Sequence, residues 1–237
     1  MYGAEVAEIF DLVHQARGKD FAAEAADVAR RVRTRAPTAS SLLDVACGTG
    51  GHLRTFAELF DHVEGVELAE PMLAVATRRL PAITLHCGDM RNFDLGRTFD
   101  AISCMTGSIG YMRTTAELKT ALRRFAEHLV PGGVVAVDPW WFLESFAAGH
   151  VSGDVVTVAG RTIARVSHSA LEGNASLIHV HYVVAGPRSG VRHFAETHLI
   201  TLFTRAQYEE AFASTGFAVD YVEGVQAGRG LFVGVRK

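Results

Sequence analysis

Leu42-Leu43-Asp44-Val45-Ala46-Cys47-Gly48-Thr49-Gly50-Gly51 is an apolar run that passes straight into a glycine-rich turn, with His52 opening a helical pattern after it. Glycine at such a turn lets the backbone adopt conformations that a Cβ forbids and approach a ligand closely. The stretch therefore predicts a strand–turn–helix unit that holds a nucleotide-like ligand at the end of the strand. A dinucleotide site wants G-x-G-x-x-G, with the third glycine allowing close helix–strand packing and the helix N-terminus facing a pyrophosphate. Gly48 and Gly50 fit the first two positions, but Leu53 stands at the third. Asp44, just before the turn, would repel a pyrophosphate and attract a cationic end group. The methionyl ammonium of S-adenosylmethionine is such a group.

The following segments point the same way. His62-Val63-Glu64-Gly65-Val66-Glu67-Leu68 predicts a second strand ending in a carboxylate about 20 residues beyond the turn, where a ribose diol is gripped in this class of fold. A carboxylate only accepts hydrogen bonds, so Glu67 can take both ribose hydroxyls. Ile83 to Met90 predicts a third strand ending in Gly88-Asp89, where the acid can accept from an adenine amino group while Met90 and Leu68 supply apolar ring contacts. Asp100 to Met105 predicts a fourth strand. Carboxylates at three successive strand ends are far more specific than any one of them.

Asp44-Val-Ala-Cys-Gly-Thr-Gly50, Glu67, Gly88-Asp89-Met90 and Pro131-Gly132-Gly133 resemble the ordered motifs of class I S-adenosylmethionine-dependent methyltransferases, over residues 35–140. A narrower resemblance spans nearly the whole chain. Arg17-Gly18-Lys19-Asp20, Asp138-Pro139-Trp140-Trp141-Phe142, Arg165 to Ser169, His198 to Phe203 and Gly228 to Val235 are similar to the N,N-dimethyltransferases of dTDP-3-amino-3,6-dideoxyhexoses in antibiotic pathways. The resemblance implies an α/β fold: a Rossmann-like class I methyltransferase sheet, seven-stranded and mostly parallel, with an inserted small antiparallel β lobe. It implies S-adenosyl-L-methionine as cofactor and S-adenosyl-L-homocysteine as product. The cofactor contacts it implies are Arg17, Asp44, Ala46, Cys47, Gly48, Gly50, Glu67, Leu68, Met72, Asp89, Met90 and Met105. The implied activity is N-methylation, N,N-dimethylation included, of the amino group of a dTDP-linked aminodeoxysugar. The alternative is O- or C-methylation of another small molecule of secondary metabolism.

Size and composition bound these readings. A chain of 237 residues, nearly half of them hydrophobic, suits one α/β domain with an insertion. A formal charge of −3 argues against a nucleic-acid surface, which normally carries a basic face. There is no run of 18 or more apolar residues and no basic-then-apolar leader pattern, so neither a membrane span nor a signal peptide is expected. Cys47, Cys87 and Cys104 fall in or at the end of core strands without motif spacing. They predict free buried thiols in a reducing cytoplasm, with Cys47 a packing residue and not a nucleophile. Eleven histidines show no metal-ligand spacing, so no metal site is expected.

Helical periodicity marks residues 4–16 and 19–34 ahead of the first strand. Strand and helix patterns then alternate to residue 138, as in a parallel sheet of βαβ units. Pro131-Gly132-Gly133 predicts a turn from the helix at 115–129 into a fifth strand, Val134–Asp138. Residues 151–203 alternate polar and apolar between glycines, which predicts several antiparallel strands. A helix at 204–215 and strands at 217–223 and 230–235 complete the chain. Residues 1–146 and 204–237 are expected to form the cofactor-binding core, and 147–203 a lobe over the substrate site. A homodimer is a possible assembly.

In open α/β sheets the ligand crevice lies at the carboxyl ends of the strands. The acceptor must approach the cofactor near the ends of strands four and five, which brings in Thr106, Ser108, Trp140 and Trp141. DNA amino-methyltransferases carry Asn/Asp-Pro-Pro-aromatic after strand four; here Asp-Pro-aromatic comes one strand later. The two tryptophans can stack on a thymine or sugar ring or pack the lobe against the core. Arg229, between Gly228 and Gly230, is either a phosphate ligand or a solvated loop residue. Ser167, Ser169 and His181 can line the sugar–diphosphate cleft or bond across an exposed sheet face. His14 is the one candidate base, and its alternative is a helix-surface residue. The related enzymes place tyrosines at Phe10 and His14, and Thr106-Gly107, Leu143 and Val225-Gln226-Ala227 also depart from their pattern. These departures touch the acceptor side and leave the cofactor motifs intact. The expected chemistry is in-line attack of a neutral amine on the sulfonium methyl. Alignment of the reactants is worth up to ~7–11 kcal/mol and a dedicated base is optional.

Overall fold

The computed structural model describes residues 2–237. Two short helices, α1 (Ala4–Ala7) and α2 (Phe10–Ala16), precede the longer α3 (Phe21–Arg35). The alternating core follows as β1 (Ser41–Val45), α4 (Leu53–Leu59), β2 (His62–Glu67), α5 (Glu70–Arg79), β3 (Thr84–Cys87), β4 (Phe99–Cys104), α6 (Thr115–Glu127) and β5 (Leu129–Val137). Four long strands come next: β6 (His150–Val158), β7 (Arg161–Glu172), β8 (Ala175–Gly186) and β9 (Gly190–Thr201). The chain closes with α7 (Arg205–Ser214), β10 (Phe217–Val222) and β11 (Leu231–Arg236).

The core is a seven-stranded sheet in the order β10-β11-β5-β4-β1-β2-β3, parallel from β5 to β3, with β11 antiparallel to both its neighbours. Strands buried on both faces must be apolar at nearly every position, and β1, β4 and β5 meet that demand. One face carries Leu43, Ile102 and Val135 beneath α6 and α7; the other carries Leu42, Ala101 and Val134 beneath α3 and α4. Helix α3 buries Ala25, Val28, Ala29 and Val32, a helical stripe. Asp20 caps it by accepting from Ala23 N at 2.9 Å. A Thr204–Gln207 capping box starts α7. The strand order reverses at β1, whose neighbours are β2 and β4, so the crevice opens above these carboxyl ends.

The second sheet is an antiparallel meander, β6-β7-β8-β9. Its turns are tight: Ala159 and Gly160 both have positive φ between paired Val158 and Arg161, as two-residue hairpin loops require. Its inner face presents Ile163, Ile178, Val180, Tyr182, Val184 and Ile200 to Val6, Ile9 and Val13 of the N-terminal segment. Ala7 turns the other way and packs with Met72 and Val75 of α5. The N-terminal helices are thus wedged between the two sheets.

Three expectations shift. The helix expected over 4–16 breaks near Glu8 and Ile9, where Ile9 N bonds Val6 O; Val6, Ile9 and Val13 face the lobe, and Ala7 faces α5. Pro131-Gly132-Gly133 lies inside β5 as a loop-out: Leu129 pairs with Phe99, and pairing resumes only at Ala101–Val134. Gly132 has φ +78, and a Cβ on Gly133 would meet Val130 O at 2.8 Å, so both glycines are needed. Cys87, expected to be buried, is exposed because β3 is the edge strand; Cys47 and Cys104 are buried free thiols.

Candidate active site

A cavity of about 420 Å³ lies at the strand ends, roofed by the inner face of the β lobe and by α2, within the size range of small-molecule sites. Ala46 and Thr106, just beyond β1 and β4, both hold left-handed backbone at φ 59 and φ 62 and both line the cavity. Non-glycine residues in that region store strain, which is common beside ligands. Gly48, φ +58, has open space where a Cβ would stand, so ligand can approach its backbone. Gly50 and Gly51 are held by packing: their Cβ atoms would meet Leu80 Cδ1 at 2.6 Å and Phe21 Cδ1 at 2.9 Å.

Polar groups are poised around this turn. Glu67 accepts from Gly48 N at 2.8 Å and from Ala69 N at 2.7 Å, which aims its carboxylate while leaving lone pairs free. Burial pushes its pKa up, against these backbone hydrogen bonds. Asp44 accepts from Ser103 Oγ at 2.7 Å, but its Oδ2 is buried without a partner. Burial, with Glu67 adding repulsion, raises Asp44 to about 6, against the pull of His52 and Ser103. Two crowded carboxylates, one with an orphaned oxygen, are the arrangement a positively charged ligand would relieve. Asp89 is chelated by Arg91, at 3.0 and 3.1 Å from Nε, which holds its pKa down. Arg91 Nη1 also reaches Glu117 at 2.9 Å.

Of the residues named from sequence for the cofactor, Ala46, Cys47, Gly48, Glu67 and Leu68 line this cavity, and so do Met72, Asp89, Met90 and Met105. Asp44 lies one layer behind the wall, 1% exposed. Gly50 serves the turn's packing. Arg17 does not line the cavity; its side chain pairs with Asp154 at 3.2 Å and Ser152 at 3.1 Å on β6.

On the acceptor side, His14, Thr106, Ser108 and Trp140 line the cavity, and Trp141, Ser167, Ser169, His181 and Arg229 do not. His181 fails by strand parity: β8 turns Val180 and Tyr182 inward and His181 outward, where its ring meets His193 at 3.0 Å. Ser167 is on the inner face, but its hydroxyl accepts from Arg165 Nη1 at 3.0 Å; Ser169 lies farther along, opposite His150. Arg229 is not an exposed loop arginine. It donates to Asp138 through Nη2 at 2.7 Å and Nε at 3.2 Å, with Asp138 fully buried. Its guanidinium also stands 5.5 Å from the Trp140 ring. Trp140, braced so, is the tryptophan that reaches the cavity; Trp141 stays outside it. His14 stacks on Phe10 and donates from Nδ1 to Phe10 O at 2.8 Å. Burial lowers its pKa to about 4, so it can accept a hydrogen bond but is a poor store for an amine's proton.

Sequence reasoning missed Tyr2, Tyr111, Arg165, Tyr182 and His198, all at the cavity wall. The inward parity of β8 and β9 could have signalled Tyr182 and His198. It also missed the brace under the turn, where Glu24 accepts from Lys19 Nζ at 2.7 Å and lies 2.8 Å from His52 Nε2. These partners outweigh the burial of Glu24 and bring its pKa to about 2.

Comparison with known proteins agrees with this geometry. Residues 42–133 match a methyltransferase domain family. The chain is 59% identical over 235 residues, 99% of both chains, to the dTDP-3-amino-3,4,6-trideoxy-alpha-D-glucopyranose N,N-dimethyltransferase of Streptomyces venezuelae. The chain belongs to the aminosugar N,N-dimethyltransferase family of class I methyltransferases. The methyltransferase superposes on the crystal structure of Streptomyces venezuelae DesVI with a TM-score of 0.96 and 58% identity, over 100% of each chain. It also matches SAM-bound CalS10, an amino pentose methyltransferase of Micromonospora echinaspora, with a TM-score of 0.89, 48% identity and 97% coverage of each. Its cofactor is S-adenosylmethionine. The residues fit that group: Glu67 for a diol, the open backbone of Gly48, and the unpartnered Asp44 oxygen beneath for positive charge. No described helix is long and apolar enough to cross a membrane.

Proposed function

We propose that this methyltransferase transfers methyl groups to the amino nitrogen of a dTDP-linked aminodeoxysugar, giving the N,N-dimethylated sugar, in antibiotic biosynthesis. The observation that carries the reading is the full-length identity to an aminosugar N,N-dimethyltransferase, lobe and N-terminal helices included. The cavity supports it, because one space is bounded by Glu67 and Met105 of the core and by Trp140, Tyr182 and His198 on the acceptor side.

When bound, S-adenosylmethionine supplies a methyl group already activated by positive sulfur. The chain's own work is alignment and exclusion of water. Glu67 and the Gly48 turn set the donor's register, with Asp89 and Met90 at its adenine end. Trp140, Thr106 and Ser108 form the acceptor's side, and Phe10, His14 and Tyr2 close the roof. The buried, largely apolar wall disfavours an ammonium and so favours the reactive neutral amine. Two copies are inferred to pair through the outer face of the lobe, where Val151, Val155, Val166, Val183 and Val191 are exposed. A reducing cytoplasm accords with the free thiols.

Mass spectrometry of reactions with labelled S-adenosylmethionine and a panel of dTDP-3-amino- and dTDP-4-aminohexoses tests the proposal. A gain of two methyl units on one sugar is expected. No gain on any of them, with turnover of a free amine or polyketide, would transfer the reading to another small molecule.

A further inference from the structure

Beyond β3, one arginine grips Asp89 with three N–H groups. Arg91 N donates to Asp89 Oδ1 at 2.9 Å, Arg91 Nε is shared between Oδ1 at 3.0 Å and Oδ2 at 3.1 Å, and Arg91 Nη2 donates to Oδ2 at 2.5 Å. Arg91 is itself tethered, because its Nη1 donates to Glu117 Oε1 at 2.9 Å. Glu117 is fixed in turn at the start of α6. Its Oε2 accepts from Arg113 N at 2.8 Å, and its own N–H bonds the Oγ1 of the capping Thr114 at 3.1 Å. Asp89 and Arg91 line the cavity; Glu117 stands outside it. The Asp89 side chain is 16% exposed, against 41% for Arg91 and 32% for Glu117.

A carboxylate offers about four acceptor sites. The three N–H groups of Arg91 occupy three, so one remains for a donor from the cavity that Asp89 lines. The hydrogen bonds from Arg91 hold the Asp89 carboxyl below its ordinary range. An ionised carboxylate only accepts. It matches a 6-amino group on a purine, which donates, and repels a 6-oxo group, which accepts. The guanidinium is a flat fork that a lysine cannot copy. Glu117 tethers that fork from outside the cavity, so the plane of the Asp89 carboxylate is set by α6 as well as by β3's end.

We propose that Arg91 and Glu117 are positioning residues that fix the Asp89 carboxylate in one orientation, so that the donor site selects adenine over its 6-oxo counterpart, hypoxanthine. This rests on the reading that places Asp89 at the adenine end of the donor. Both residues act through Asp89: Arg91 by occupying every acceptor site but one, Glu117 by holding Arg91 in place. The selection is made by the base alone and is independent of which sugar accepts the methyl group.

Competition calorimetry with S-adenosylhomocysteine and S-inosylhomocysteine tests this without a sugar acceptor. The unsubstituted protein should favour the adenosyl compound by about 100-fold or more. Arg91→Leu should cut that ratio about tenfold, chiefly by weakening the adenosyl compound. Arg91→Lys keeps the charge without the fork and should recover only part of the loss. Glu117→Gln has one oxygen for two donors and should cut the ratio about threefold. Asp89→Asn can donate to a 6-oxo group and should bring the ratio close to one. Adding Arg91→Leu to it should change nothing more, because both act through one carboxylate. An unchanged ratio in Arg91→Leu or Glu117→Gln, equal weakening of both compounds, full recovery by lysine, or a further fall in the double variant would overturn the proposal. An unchanged ratio in Asp89→Asn would overturn the placement of Asp89 at the adenine, and the proposal with it. A collapsed ratio in Asp89→Asn beside an unchanged one in Arg91→Leu would overturn the proposal alone. If Asp89→Asn does not fold, the Arg91 and Glu117 variants decide.

Discussion

The parallel core and the inserted lobe meet at one cavity but build their halves of it differently. In the core, each ligand-facing group sits at the end of a strand and is oriented by neighbours on its own or the adjacent strand's end. Glu67 is aimed by Gly48 and Ala69, and Asp89 by Arg91. In the lobe half, the groups converge from distant segments: Tyr2, Tyr111, Tyr182 and His198 touch one space. The first half is a local solution that serves one cofactor. The second is a long-range assembly that depends on how the lobe, N-terminal helices and core dock.

That contrast can be broken or sharpened by substitution. Arg229→Ala should have the largest effect, and on stability. It leaves Asp138 fully buried without its ion-pair partner, and removing one partner of such a pair costs about 3–5 kcal/mol. Urea unfolding measures it; unchanged stability with a raised KM for the sugar nucleotide would return Arg229 to the role of phosphate ligand. Glu67→Ala removes a charged acceptor of two hydroxyls and should weaken cofactor binding on the order of 100-fold. The sugar's KM should stay within about threefold. Comparable losses on both sides would erase the division between core and lobe.

A smaller effect is expected from pH. Asp44 titrates at about 6 in the free protein because it is buried beside Glu67. A cation bound above favours its ionised form, so its pKa falls on binding. Cofactor affinity should be full above pH 6 and decline as pH drops through that value, by about tenfold at pH 5. Isothermal titration in buffers of different ionisation enthalpy should show proton release near pH 6, and Asp44→Asn should abolish it. The same shift makes the free fold less stable as pH rises from about 4 toward 6, because the buried carboxyl must ionise. The smallest effect is expected at His14. With its pKa at about 4, His14→Gln should change kcat by no more than about threefold between pH 6 and 9. Loss of an ionisation in that range on substitution would restore it as a base.

The same contrast explains what was legible in the sequence. The glycine turn, Glu67 and Asp89 could be read because each stands at the end of a strand in a regular alternating pattern, and adjacent parallel strand ends meet at one place. The sheet and the antiparallel insertion followed from period and glycine punctuation. Arg17, His181 and Arg229 could not be placed, because their surroundings are set by tertiary partners: Asp154 on β6, the outward parity of β8, and Asp138 on β5's end. Tyr111 and His198 are 87 positions apart and carry no shared motif. Only docking of the lobe on the core brings them together.

The most direct test of this two-part cavity is a crystal structure with S-adenosylhomocysteine and the dTDP-aminosugar bound together. The ribose hydroxyls should lie on Glu67 and the sugar amine beside Met105, beneath the inner face of the lobe. A sugar nucleotide seated outside the space beneath the lobe, or a ribose gripped by residues other than Glu67, would contradict it.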